Sequence, residues 1–172
     1  ALPAIRDDRD WPEAAFPSRE LRIFAAMRAW GILSRFFPYL DLVKDWDARL
    51  APAILAIEAT TDAKSYRDAL KALGAHLHDG HVWVYPTPPV ATGIPAVEVR
   101  LVEKKPIVTE VSDPELAKLG LRTGDEVVSI DGVPIDMRRT ELRPITTAGT
   151  AAALENQVLS GMLYGPPAQP VV

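Results

Sequence analysis

The sequence predicts an α+β protein with a helical first half and a β-rich second half. Apolar residues recur at helical spacing in the first half, and they alternate with polar residues in the second. A Pro-rich stretch at 86–95 lies between the two patterns. We therefore expect an extended arm at 1–15, a helical bundle domain at 16–90 that ends in a strand, and a β-rich domain at 91–172.

The first half carries start and stop signals for its helices. Ser18 can cap the first helix, which should end before Pro38 because a residue that precedes proline disfavours the helical conformation. Pro52 predicts a late start or a kink in the second helix. Asp62 can cap a third helix, whose apolar face comprises Tyr66, Ala69, Leu70, Leu73 and Leu77. The β-branched and aromatic run at 82–85 then predicts the closing strand.

The second half has turn signals between its predicted strands. Alternating residues at 97–101 predict a half-buried strand, and residues 107–111 predict another. The Asp-Gly pair at 131–132 is a strong signal for a two-residue hairpin turn. A short helix after Asp113 and a last helix at 150–163 complete this half.

Composition excludes several classes of protein. The net charge is −4 and the basic residues form no block, which argues against nucleic-acid binding. No apolar run approaches the roughly 20 residues that a membrane-spanning helix needs. The absence of cysteine excludes disulfides, thiol catalysis and thiolate zinc sites. Because 48% of the residues are apolar, the chain can bury a core.

The segment at 119–135, which reads LGLRTGDEVVSIDGVPI, resembles the core of a bacterial PDZ domain. Its glycine after a short helix, its Gly-Asp turn and its Asp-Gly hairpin come in the PDZ order. The resemblance implies a PDZ-like β-barrel or sandwich with two helices at 91–172. It also implies a groove that binds peptide C-termini as an added strand.

The PDZ resemblance places the peptide groove between a loop with its following strand and the last helix. The loop and the strand would contribute Gly93, Ile94 and Ala96. The helix would contribute an apolar wall made of Leu154, Val158 and Met162. Because Pro95 has no N–H, the loop loses one potential donor to the peptide carboxylate, and we expect weak binding of apolar C-terminal peptides.

A second segment carries a resemblance of its own. Leu77, Asp79, Gly80, His81 and Val82 are similar to the motif that closes the helical domain of tricorn-like peptidases, in the carboxyl-terminal-processing family of serine peptidases. The resemblance implies that His81 is the general base for a serine in a following catalytic domain that this chain lacks. The expected partners are that domain and polypeptide substrates, in the bacterial periplasm or outside the cell.

The serines of the chain agree with a separate nucleophile. None of the six lies in a Gly-x-Ser-x-Gly turn between a strand and a helix, which is how many serine hydrolases expose their nucleophile. We therefore expect the chain alone to be inactive.

Other interpretations stay open. In the serine–lysine branch of the family both catalytic residues lie in the following domain, and His81 takes no part. Gly80 stands where tricorn has a second serine, so Asp79 or another group would have to orient the base. A structural role at a helix end is the alternative for His81, and it is the preferred interpretation of His76 and His78. The alternative function is a PDZ scaffold without peptidase activity.

The histidine cluster also suggests a zinc site. His76, His78 and His81 resemble the zinc motif of the metallo-β-lactamases, His-x-His-x-Asp-His, but Asp79 stands one position early. If the segment is still helical, His76 and His78 point to different faces. We therefore expect no bound metal and no cofactor, and a zinc-dependent hydrolase is a remote alternative.

Overall fold

The computed structural model describes residues 14–86, 89, 91–94 and 96–165. Most of the predicted arm at 1–15, Pro95 and residues 166–172 therefore lie outside the described residues. We call residues 14–86 the helical half and residues 91–165 the β-containing half.

The helical half contains α1 (Arg19–Phe36), α2 (Leu50–Glu58) and α3 (Ala63–Ala75). Ser18 caps α1 by accepting a hydrogen bond from the Leu21 N–H, as predicted. Asp62 caps α3 in a reciprocal capping box with Ser65. Phe37 is extended and ends α1, as expected of a residue that precedes proline.

Two short 3₁₀ turns, Leu40–Leu42 and Asp47–Arg49, connect α1 to α2. Pro52 is the third residue of α2, so it lies in the first turn, where backbone N–H groups have no acceptor within the helix. The proline is therefore compatible with a helix that begins two residues before it.

Stacked indole rings organise the core of the helical half. The rings of Trp30 and Trp46 are nearly parallel, with centroids 6.5 Å apart. Trp46 Nε1 donates to Ser34 Oγ at 2.8 Å, so the buried indole N–H has a partner. Trp46 packs with the α3 end through Leu73 and Leu77, which are both buried. This cluster fixes the position at which the chain leaves α3.

Four strands form two antiparallel sheets in the β-containing half: β1 (Val97–Val102) with β2 (Lys105–Val111), and β3 (Ser129–Ile130) with β4 (Val133–Pro134). Glu103 and Lys104 form the turn of the first hairpin, and both have positive φ. Asp131 and Gly132 form the turn of the second hairpin, as the sequence predicts, with φ of 51° and 75°.

Three α-helices complete this half: α4 (Pro114–Lys118), α5 (Ile135–Leu142) and α6 (Ala151–Met162). Asp113 caps α4 as predicted, accepting the Glu115 N–H at 2.8 Å. The prediction of two helices is wrong, because the sequence pattern gives no signal for α5. The second hairpin stops at Pro134, which has no N–H to continue the ladder, and α5 begins at the next residue.

The α+β class is confirmed, with two differences from the prediction. The described residues form two separate two-stranded sheets, and no closed barrel occurs among them. Residues 82–86 form no strand, because no described strand lies beside them to share hydrogen bonds. No helix among the described residues has both the length and the apolar character needed to cross a membrane.

The core of the β-containing half is aliphatic. It consists of Ile130, Ile135, Val158, Leu159 and Met162, which are all buried. The two halves meet where α3 and the loop after it contact the 3₁₀ turn Arg143–Ile145 and the neighbouring Thr147. The contact brings the histidine-containing loop against the β-containing half.

Candidate functional site

The loop after α3 carries the three histidines and Asp79. His76 is the C-cap residue of α3, and His78 has a φ of 51°, which turns the chain out of the helix. The Val82 N–H then donates to the Asp79 carbonyl at 3.2 Å and closes a tight turn. The turn presents Asp79 and His81 at the surface.

Asp79 and His81 form a hydrogen-bonded pair on this turn. Asp79 Oδ1 accepts the His81 backbone N–H at 2.9 Å and lies 2.8 Å from the His81 ring Nδ1. The hydrogen bond from the His81 backbone, followed by the one from its ring, lowers the pKa of Asp79. The carboxylate is therefore ionised at neutral pH. A neutral ring must then carry its proton on Nδ1, which leaves Nε2 as an acceptor. The His81 side chain is 96% exposed, so Nε2 can be reached from solvent.

Thr147 attaches this turn to the β-containing half. Its hydroxyl accepts the Asp79 N–H at 3.1 Å and donates to the Asp79 carbonyl at 3.2 Å. Gly80 lies close to α6, since a Cβ at this position would be 3.4 Å from Gln157 Nε2. The backbone under the Asp79–His81 pair is therefore held in place although the His81 ring is in solvent.

His76 and His78 have different surroundings from His81. Burial lowers the pKa of His76, and the nearby charges of Arg49 and His78 lower it further. His78 is exposed. Among the described residues, no group of three or more histidine or carboxylate side chains is arranged to hold a metal ion. The positive charge of Arg49 beside His76 likewise gives no support to the zinc interpretation.

All six serines lie among the described residues, and none of them is hydrogen-bonded to His81. Ser18 and Ser65 serve as helix caps, and Ser34 accepts from Trp46. A group that contacts His81 Nε2 would therefore approach the turn from solvent.

A groove of about 410 Å³ lies between β1 and α6. Its β1 side includes Val97, Glu98, Val99 and Arg100, and its helix side is formed by Asn156, Ser160, Leu163 and Tyr164. Ile94 and Ala96 line one end, before β1 begins. The groove is thus bounded by a strand edge and by a helix side that carries both polar and apolar side chains.

The outer edge of β1 has no strand beside it among the described residues. Val108, opposite Val99, bonds through its N–H and C=O to Asp125 and Gly124 on its other side. Antiparallel pairs alternate between those that exchange hydrogen bonds and those that do not, so Val99 also directs its backbone groups away from β2. Val97 and Leu101 are two residues away from Val99 on either side, so their backbone groups point in the same direction. This edge therefore presents a row of donors and acceptors for an added strand.

The structure separates the residues predicted for peptide binding. Ile94 and Ala96 line the groove, and Gly93 lies beside it in an antiparallel pair with Gly165. The three predicted helix residues do not line it: Val158 and Met162 are buried in the core and Leu154 packs against that core. The apolar stripe of α6 faces inward, as such a stripe commonly does, and a different helix face meets the groove. Sequence reasoning missed Asn156 and Ser160 because they lie on the polar face.

Comparison with solved structures gives a likeness in fold. The chain is similar to the crystal structure of mature CPAF, a chlamydial tail-specific protease, with a TM-score of 0.62 and 14% sequence identity. The match covers 85% of this chain and 28% of the CPAF chain, so the chain spans little more than a quarter of that protein. No protein-family model and no curated protein sequence matches the chain. At this identity the likeness establishes a shared fold alone.

Proposed function

We propose that this chain is the non-catalytic N-terminal region of a tricorn-like or carboxyl-terminal-processing serine endopeptidase, and that it supplies His81 as the general base. The observation that carries the proposal is the Asp79–His81 pair on an anchored, solvent-facing turn. The fold shared with a protease supports it. The role belongs in the bacterial periplasm or outside the cell.

The chemistry follows from the geometry of the pair. The Asp79 carboxylate holds the ring through Nδ1, and Nε2 accepts the proton of a serine hydroxyl from a domain outside this chain as that serine attacks a peptide carbonyl. The ring then donates the proton to the leaving amine. Asp79 takes the orienting role that Gly80, which has no side chain, cannot perform.

Mutation of His81 in the full-length protein tests this proposal. His81→Ala should lower kcat by about a hundredfold or more, the usual scale for loss of a general base, while substrate KM changes little. Asp79→Asn should also lower kcat, because an amide can stabilise the wrong ring tautomer. His78→Ala is the matched control, since His78 is exposed, lies in the same loop and is not part of the pair.

Two outcomes would contradict this role for His81. A folded His81→Ala protein with normal turnover would assign the serine–lysine branch, in which this histidine has no chemical part. Loss of activity in His78→Ala as large as that in His81→Ala would indicate a general disturbance of the loop.

We propose polypeptide recognition as the function of the groove between β1 and α6. The unpaired edge of β1 favours it, since an extended segment can add to such an edge through main-chain hydrogen bonds. In an endopeptidase the groove would hold the substrate. The same role fits the alternative function, a scaffold without peptidase activity. Isotope-labelled chain titrated with extended peptides should show amide shifts in β1 and α6. Shifts confined to other surfaces would contradict this role.

A further inference from the structure

The loop before β1 is poorly equipped to hold a free peptide carboxylate. Carboxylates are bound by several N–H donors or by a cationic side chain. The Gly93 N–H already donates to the Gly165 carbonyl at 2.7 Å, and Gly165 donates back to Gly93 at 3.3 Å. Pro95 has no N–H, and residues 91–96 include no lysine, arginine or histidine. The position where a C-terminal carboxylate would bind therefore lacks two backbone donors and has no local cation.

The charged side chains of the groove add a second obstacle to a carboxylate. Glu98 and Glu110 are cross-strand partners in the β1–β2 hairpin, and both line the groove. Arg100 binds Glu98 through Nε and Nη2 at 3.2 and 3.1 Å, whereas Glu110 accepts only a hydroxyl, Ser112 Oγ at 2.6 Å. Like charges on directly opposite residues are unfavourable, and no cation pairs with Glu110 among the described residues. A cationic side chain would compensate this charge, and a carboxylate would add to it.

The groove keeps the features that bind a main chain. The outward N–H and C=O groups of Val97, Val99 and Leu101 can pair with any extended segment, whatever its side chains. Across the groove, Asn156 and Ser160 provide polar groups beside Leu163 and Tyr164, and the predicted wall of Leu154, Val158 and Met162 is absent from the lining. The groove can therefore pair with the main chain of a peptide, although it lacks the groups that would bind a C-terminal carboxylate.

We infer that this groove takes an extended internal polypeptide segment that places a lysine or arginine beside Glu98 and Glu110, and that it does not read a C-terminal carboxylate. The inference rests on the proposed peptide-binding role of the groove and specifies its substrate class. An endopeptidase region of this kind would engage a substrate within its sequence rather than at its tail.

Matched peptides test both parts of the inference. We would use fluorescein-labelled, Thr- and Val-rich extended peptides with one central lysine, each made with a free carboxylate and with a C-terminal amide. The amide should bind the chain at least as tightly as the free acid, as measured by fluorescence anisotropy. Replacing the central lysine by glutamate should weaken binding by about threefold or more, the scale of an exposed ion pair.

A variant of the protein tests the charge pairing. Glu110→Gln should remove much of the preference for the lysine peptide over its glutamate counterpart. Glu115→Gln is the matched control, because Glu115 is an exposed carboxylate on α4 that pairs with Lys118 outside the groove. The lysine preference should persist in that control.

The outcomes separate this inference from the function on which it rests. Free acids that bind about tenfold more tightly than their amides would overturn the inference and leave peptide recognition standing. An unchanged lysine preference in Glu110→Gln would overturn the assigned charge pairing. Failure of every peptide to bind or to shift β1 amides would overturn both this inference and the proposed recognition role.

Discussion

The two halves of the molecule are stabilised differently, and they present their candidate sites differently. The helical half has an aromatic core in which the buried Trp46 N–H requires Ser34 as its partner. The β-containing half has an aliphatic core, and its helices α5 and α6 are joined by ion pairs of Arg139 and Arg143 with Glu155. Aliphatic side chains of similar volume replace one another more readily than hydrogen-bonded aromatic ones.

The difference extends to the candidate sites. The helical half presents a side chain, His81, which in the proposed function acts as a base while Asp79 holds its ring through Nδ1. The β-containing half offers a backbone edge for main-chain pairing, and the side chains of Glu98 and Glu110 add only the charge preference inferred above. Side-chain substitutions should therefore have larger effects in the helical half, for stability as well as for chemistry.

The largest expected effect is on the aromatic core. Trp46→Ala should lower the free energy of unfolding by about 3–5 kcal/mol, because it leaves a large cavity under Trp30 and removes a partner of Ser34. Leu159→Met, a volume-conserving change in the other core, should cost less than about 1.5 kcal/mol. Urea unfolding measures both changes.

An exposed tryptophan provides the control for that experiment. Trp83 is 62% exposed, so Trp83→Ala should change the free energy of unfolding by no more than about 0.5 kcal/mol. Equal costs for Trp46→Ala and Leu159→Met would contradict the contrast drawn between the two cores.

The next effect concerns the link between the halves. Thr147→Val keeps the shape of the side chain but removes both hydrogen bonds to the Asp79 backbone, at a cost of about 1–2 kcal/mol. Hydrogen exchange of the Asp79 amide should become faster. Thr109→Val is the control, since the Thr109 hydroxyl makes a long 3.4 Å contact with the Glu98 carbonyl within its own hairpin. Unchanged exchange at Asp79 would show that Thr147 does not hold the turn.

Sequence reasoning succeeded where the signal is local. The caps Ser18, Asp62 and Asp113 and the hairpin turn at 131–132 all act within a few residues, so residue type and spacing predict them. The absence of a strand at 82–86 depends instead on a neighbouring strand, which the local sequence cannot reveal.

The candidate sites show the same limit. Asp79 and His81 are close in sequence, so one motif identifies both, but Thr147, which anchors them, is 68 positions from Asp79. On α6 the apolar stripe of Val158 and Met162 was predictable, yet its direction was not. A stripe of this kind faces whichever surface excludes water, and here that surface is the core and not the groove.

A smaller effect should follow from close packing at the end of α3. A Cβ on Gly74 would lie 2.8 Å from Val82 Cγ1, and a β-branched side chain cannot easily turn away. Gly74→Ala should therefore destabilise the protein by about 1 kcal/mol, because overpacking outweighs the better helix propensity of alanine.

A double-mutant cycle isolates that contact. With Val82→Ala in the background, Gly74→Ala should become neutral or stabilising, since the clash is gone and the propensity gain remains. The same destabilisation in both backgrounds would mean that Val82 does not restrict position 74.

The smallest effect is a pH dependence that distinguishes His76 from its neighbour in the same loop. Burial, with the nearby charges of Arg49 and His78, lowers the pKa of His76 in the folded protein below its ordinary value of about 6.5. The unfolded chain then binds more protons than the native state between these two pKa values, so the free energy of unfolding rises with pH in that window. The stability associated with neutral His76 is fully present above about pH 6.5 and is lost as the pH falls through the lower, folded pKa.

His76→Gln should flatten the pH dependence of the urea midpoint in this range, whereas His78→Gln, at an exposed position, should keep most of the slope. A slope unaffected by His76→Gln would assign the pH dependence to other groups.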